Sequence, residues 1–312
     1  MSIAAALGTE ASAGPVGGAP RAAAPTRRAR SGAYLLLLPG LAFLLVFFVL
    51  PVVALLATSL YVPVPGGDVG QFQPALRWQN YTTALAEFWP QIVRSFVFAL
   101  IATVSALLIG YPMAYMIAVR ARGKTFLQGL LLVLLIAPFF TSFILRTVAW
   151  KQILADDAFV VTALKWLQLL PSDGRLTATA FAVVAGLTYN FLPFMALPIY
   201  ASLERLDPRL IEAGGDLYAS GPRTFWRVTL PLSMPGVVSG TLLTFIPASG
   251  DYINSTLLGN PTSTVMIGQV IDSRFFRVND YPTASALSVV LMVAILILVG
   301  AYVRRAGTED LV

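Results

Sequence analysis

The sequence predicts an all-α membrane protein with six transmembrane helices. Apolar residues fill 57% of the 312 positions and charged residues only 12%, about half the charge density of a soluble domain. Mean hydropathy is correspondingly high, +0.77. Six windows are long and apolar enough to cross a hydrocarbon core, which takes about 20 residues of helix. Five of them hold no Asp, Glu, Lys or Arg, and the other holds one, Asp251. The chain has no Cys and no His, which removes thiol nucleophiles, disulfides, His/Cys zinc sites and imidazole acid–base chemistry.

In chain order, residues 1–33 are Ala, Gly, Pro and Arg with one acid, Glu10; nothing there builds a core, so a disordered tail is expected. Arg27-Arg28 hints at a twin-arginine signal, but the apolar run 34–60 exceeds a signal core of about 7–15 residues and reads as an uncleaved first span. Residues 61–75 carry Pro63, Pro65, Gly66, Gly67, Gly70 and Pro74 and should form an irregular loop. Spans two and three, 95–119 and 126–145, flank the short turn 120–125. In 157–170, Val160, Leu164 and Leu167 recur at helical spacing, predicting a short amphipathic helix on the outer surface. Spans four, five and six are placed at 178–203, 236–258 and 284–303, with a loop at 204–235 and a tail at 306–312. The uncharged window 252–271 contains Asn254, Gly259, Asn260, Pro261 and Gly268. A broken polar backbone lacks partners in hydrocarbon, so it reads as the tail of span five plus an outer loop. No tandem repeat and no matching pair of broken spans is visible in the sequence.

Orientation follows from Lys and Arg. Segments 1–33, 120–125, 204–235 and 304–312 share one side and hold 13 basic residues in 80 positions, against 8 in 91 on the other side. The denser side should be cytoplasmic, which puts both termini inside. The net charge of +6 is then loop bias and not a sign of a nucleic-acid partner. Trp78, Trp89, Trp150 and Trp166 fall in outer segments as expected of interfacial anchors.

The sequence carries a path and no engine. A proton-coupled transporter usually has intramembrane Asp, Glu or His. Asp251 lies sixteen residues beyond Pro235, about 24 Å along a helix and so near the outer boundary of a core about 30 Å thick. Gly123-Lys124-Thr125 copies the end of a phosphate-binding loop, but position 118 is Ala where the motif needs Gly, and no strand precedes it. No metalloprotease helix and no nucleophile elbow is present. Energy, if any is used, must come from a partner.

Segment 207–232 is built for such a partner. Asp207-Pro208 opens a helix as N-cap and first-turn proline; Leu210, Ile211, Ala213, Gly214 and Leu217 give it a small apolar face, and Ser220-Gly221-Pro222 restarts the chain in a second short helix. Six charges fall in the 21 positions 207–227, where 12% would give about 2.5. Glu212-Ala213-Gly214, then Val228, Leu230 and Pro231, resemble the Glu-Ala-Ala loop of ABC-importer permeases. Gly214 stands for the second alanine, and Tyr218 for the motif's glycine. If that glycine turns the chain with positive φ, Tyr218 is strained there; Gly221 takes the bend instead, or the turn is reshaped. Gly186 to Met195, Phe245 to Tyr252 and Met266-Ile267-Gly268 further resemble the spermidine/putrescine-type branch.

The resemblance implies a type I ABC-importer permease fold over about 34–305 in a bacterial inner membrane. It implies a second permease subunit, different in sequence, two cytoplasmic ATPase subunits that bind ATP and Mg, and a periplasmic binding protein; no cofactor is implied in this chain. Arg209, Glu212, Ala213, Gly214, Asp216, Tyr218, Arg223, Leu230 and Pro231 would then form the ATPase-coupling site. A polycation needs carboxylates and aromatic faces, which makes Asp251 and Tyr252, with Tyr189 and Asn190 in span four, candidates for the substrate path. Asp251 pairing with a neighbouring subunit, and Tyr189 and Asn190 bonding between helices, are the competing structural roles. Related permeases for opines, aminophosphonates or ferric ion share these stretches.

Overall fold

A computed structural model describes residues 37–216 and 218–306; the expected tails, 1–33 and the part of 306–312 beyond Ala306, lie outside the described residues. The chain divides into two units, the first ending at Val53 and the second beginning at Ala54. Helix α1, Leu37–Thr58, runs from the first unit into the second; every other element belongs to the second. These are β1 Val62–Pro63 and β2 Phe72–Gln73, α2 Gln79–Arg120, α3 Thr125–Phe140, α4 Phe143–Ile153, α5 Phe159–Trp166, α6 Ala180–Glu204, α7 Pro208–Asp216, α8 Gly221–Leu232, α9 Met234–Ser249, α10 Ile253–Leu258, α11 Ile267–Phe276 and α12 Tyr281–Ala306.

Four of these, α1, α2, α6 and α12, are long and apolar enough to cross a membrane unbroken. Two bent pairs, α3 with α4 and α8 with α9, raise the number to six if each is one crossing. The first pair turns by 98° where Thr141 and Ser142 are extended. Composition runs smoothly through that point, so the window 126–145 overlooked the change of direction and its last residues belong to α4. The second pair bends by 66° at Ser233. Helix α2 begins sixteen residues before the window 95–119. Its early turns carry Glu87 and Arg94, which a hydropathy window rejects although the helix continues through them.

A stripe of small residues joins α2 to α6. Ala99, Ala102, Ala106, Ala114 and Ala118 are wholly buried, and a Cβ on Gly110 would already touch Leu192, Met195 and Ala196 at 3.4–3.5 Å. Spaced three and four apart, they line one face of α2 and let two backbones approach, the usual solution where hydrocarbon supplies no hydrophobic drive. Leu187, Met195, Ile199 and Leu203 of α6 fill the space opposite. Helix α9 closes on Met195 as well: a Cβ on Gly240 would lie 2.7 Å from the Met195 carbonyl oxygen.

Two outer-segment expectations are changed by the structure. Residues 61–75 contain a two-residue antiparallel pairing, Val62 with Gln73 and Pro63 with Phe72; Pro63 and Pro65 keep it short because proline donates nothing to a ladder. Helix α5 exists, but it buries Val161 and leaves Val160 41% and Leu167 54% exposed, so its inward face is rotated by about one residue.

The window 252–271 forms no crossing helix. It folds back against α2 and α6 with its polar groups satisfied inside the protein. Ile267 N donates to Ser95 Oγ at 2.7 Å and Arg94 Nη1 to the Val265 carbonyl at 3.1 Å. Ser255 Oγ reaches Gln269 Oε1 at 2.7 Å and accepts from Met266 N at 3.1 Å. Asn254, Ser255, Leu258, Met266 and Ile267 are buried, so much of what reads as an outer loop is interior.

Candidate functional site

The hairpin α7–α8 is the first candidate site. Asp207 Oδ1 accepts from Arg209 N at 3.0 Å, satisfying one of the free N–H groups at the start of α7. Gly214 abuts α8: a Cβ there would come within 2.8 Å of Thr224 Oγ1, which accounts for glycine where the motif has its second alanine. Tyr218 itself takes the turn, at φ 56°, and is 98% exposed. Gly221 opens α8 and does not carry the bend, so the strain that a bend at Gly221 would have avoided falls on Tyr218, at a cost of about 1–2 kcal/mol for an L-residue in that region.

The hairpin is bolted to the adjoining end of α2. Phe225 sets its ring edge against Tyr111 and Tyr115, with centroids 5.4 and 6.2 Å away. Tyr111 Oη and Ser233 Oγ share a buried hydrogen bond of 2.8 Å at the α8–α9 bend. Arg122 donates to the carbonyls of Leu206, at 3.0 Å, and Glu204. Leu230 packs into the same cluster. Arg209, Glu212, Ala213, Arg223, Trp226, Arg227 and Pro231 are all exposed, and Asp216 ends α7. A load on the exposed side of the hairpin therefore passes through fixed contacts into α2 and α9. Trp226, 67% exposed, escaped the sequence reading although a tryptophan among arginines on a short helix was visible there. Phe225, Tyr111 and Ser233 become a group only in three dimensions.

The second site is a buried polar cluster at the junction of α4, α6 and α10. Asp251 sits in the break after α9 and not inside a helix. It is 8% exposed and accepts from Asn254 N at 2.8 Å and Asn254 Nδ2 at 3.2 Å. Asn190 Nδ2 donates to Asn254 Oδ1 at 3.1 Å and to Thr147 Oγ1 at 3.0 Å. The structure thus joins two of the four residues expected on the substrate path, Asp251 and Asn190, through Asn254, with Thr147 bonded beside them; neither Asn254 nor Thr147 was a path candidate from the sequence. A Cβ on Gly186 would lie 2.6 Å from Asn254 Oδ1, so that glycine admits α10 to the cluster. Tyr189 turns to Trp150 instead, edge-on at 5.4 Å. Tyr252 is 44% exposed and stands outside the cluster.

Apolar helices that suit a bilayer, a firmly held hairpin with exposed charges and a polar cluster among the helices define a multi-pass membrane protein. The chain belongs to the family of binding-protein-dependent transport system inner membrane components, whose model matches residues 106–306. Its relatives include the spermidine/putrescine transport system permease protein PotB of Escherichia coli (strain K12), 35% identical over 85% of this chain and 94% of that protein. The PotB of Haemophilus influenzae is 37% identical over 83% of this chain and 89% of its own length. The crystal structure of a bacterial ABC transporter involved in the import of the acidic polysaccharide alginate shares the fold: TM-score 0.65 at 18% identity, over 89% of this chain and 96% of that one. The chain is accordingly an inner-membrane transport component and not an enzyme, and by family it works in a system that depends on a binding protein.

Proposed function

We propose that this chain is a membrane-spanning permease subunit of an ATP-driven importer that moves polyamines of the spermidine and putrescine type. The observation that carries the cargo is identity of 35–37% over most of the chain to relatives bearing that name. The chain pairs with a second, different permease subunit and receives cargo from a periplasmic binding protein. Its hairpin sits in a groove of cytoplasmic ATPase subunits, which hold ATP and Mg and drive the cycle. Both termini then face the cytoplasm, in keeping with the basic bias of the segments on that side.

In this reading Arg209, Glu212, Ala213, Gly214, Asp216, Tyr218, Arg223, Leu230 and Pro231 form the coupling site. The exposed charges and the Tyr218 ring meet the ATPase, while Gly214 and Leu230 keep the hairpin in shape. ATP-driven closure of the ATPase pair moves the hairpin, and the Phe225 and Tyr111–Ser233 contacts convert that motion into a shift of α2 and α9. Asp251, Asn190, Tyr189 and Tyr252 belong to the substrate path, where carboxylate, amide oxygen and aromatic rings suit ammonium groups.

The test is to purify the chain with its native partners and follow the melting of the co-purified binding protein with added solutes. Spermidine or putrescine should raise its midpoint by several degrees, as saturating ligand stabilises by RT ln(1 + [L]/Kd). A rise with an opine, an aminophosphonate or ferric ion, and none with polyamines, would reassign the cargo.

A further inference from the structure

An apolar groove of about 380 Å³ opens between the end of α2 and the start of α3. Met113, Met116 and Ile117 line it from α2, and Leu131, Leu134 and Leu135 from α3. Its volume falls within the range of ligand clefts, about 300–1,000 Å³. Met116 and Leu134 are each 59% exposed, so no described residue covers the groove. Beside it the last turn of α2 is wide. Ala121 N donates to the Met116 carbonyl, five residues back, at 2.9 Å, a π-turn of the kind that often marks functional sites.

The turn 120–125 lies at one end of this groove. Its far limits are Pro112, eight residues before Arg120, and Leu135, eleven residues beyond Lys124, about 12 and 16 Å along their helices. Half of a hydrocarbon core is about 15 Å, so the groove has the depth of one leaflet. At its surface end stand Arg120, one π-turn from Met116, and Lys124, seven residues before Leu131. Both are exposed, and neither takes part in an ion pair among the described residues. Arg122 between them is already committed to the carbonyls of Leu206 and Glu204. The first turn of α3 has no side-chain cap, which leaves backbone N–H groups there for an anion as well.

We propose that this groove holds an acyl chain of an anionic phospholipid whose phosphate is bound by Arg120 and Lys124. Helices in a membrane approach one another through small residues, as α6 does on the alanine stripe of α2. None of the residues lining the groove is Gly, Ala or Ser, and its methionines adapt to a flexible chain. Two unpaired cations at the leaflet surface complement a headgroup of net negative charge. The site does not depend on the cargo. In the orientation proposed above the lipid belongs to the cytoplasmic leaflet; the opposite orientation would change the leaflet and not the site.

The experiment uses the complete transporter, stripped of lipid and then offered equal amounts of phosphatidylglycerol and phosphatidylcholine with identical chains. Native mass spectrometry reads the lipid retained. The wild type should retain phosphatidylglycerol in preference. Arg120→Gln with Lys124→Gln should lower that preference about 25-fold, or about fivefold for each charge. Arg120→Lys with Lys124→Arg keeps both charges and should keep the preference. Leu134→Trp, which fills the groove, should lower retention of both lipids alike. The chain has no Cys, so Met116→Cys can carry a single thiol-anchored photoreactive linker, and its adduct should be lipid. Equal retention of the two lipids by the wild type would overturn the proposal, as would an unchanged preference in the double Gln variant. An adduct with the second permease subunit would overturn it too, by showing a protein surface in the groove.

Discussion

Glu212→Ala is expected to stop cargo uptake while leaving the folded, inserted chain intact. Glu212 is exposed on α7 and lies in none of the ion pairs among the described residues, so it adds nothing visible to the hairpin's own stability. The hairpin is held instead by Gly214 against Thr224, by Phe225 against Tyr111 and Tyr115, and by Arg122 on the carbonyls at the end of α6. Truncating one partner of a charge pair that a docking ATPase would bury costs about 2–5 kcal/mol, or roughly 30-fold and more in association at about 1.4 kcal/mol per tenfold. Uptake should fall by at least that factor, with the thermal midpoint of the chain moving by no more than about 1 °C. Normal uptake with normal stimulation of the ATPase would remove Glu212 from the coupling site.

Gly240→Leu should act on the fold itself. A Cβ at position 240 meets the Met195 carbonyl oxygen at 2.7 Å and Met195 Sδ at 3.1 Å, and the first of these is backbone that cannot swing aside. Helix α9 would have to lift off α6, losing the packing around Met195, Ile199 and Val237. Overpacking of this kind costs about 1–3 kcal/mol and occasionally more. At about 2–4 °C per kcal/mol for a domain of this size, the melting midpoint should drop by about 2–12 °C, with Gly240→Ala intermediate. An unchanged midpoint for Gly240→Leu would show that the α6–α9 interface is not close-packed.

The apolar windows were legible because a bilayer imposes one strong constraint, a run of residues without charge, and the helices follow it. Direction within a run was not legible. Thr141-Ser142 turns the chain by 98° without any change in hydropathy, since extended backbone at two residues leaves composition untouched. The hairpin could be read because Asp207-Pro208 and Gly221-Pro222 are local signals, and its strained Tyr218 could be flagged because its neighbours fix the motif. Its attachment to α2 could not, since Tyr111 and Ser233 stand 122 positions apart. The polar cluster was half legible. Asp251 drew attention as a charge in an apolar run, and Asn190 as a polar residue in mid-span. Thr147 did not, because in one dimension a Thr beside an outer segment looks solvated, and Asn254 stood out only as one polar residue of the broken window 252–271.

The account's central claim is that this chain conducts cargo only when an ATPase moves its hairpin. The most direct measurement is spermidine flux into sealed vesicles holding the two permease subunits and the binding protein, with and without the ATPase subunits and ATP. The account predicts accumulation only in the complete, ATP-supplied system, and none when the ATPase is left out. Steady flux through the permease subunits alone would contradict it.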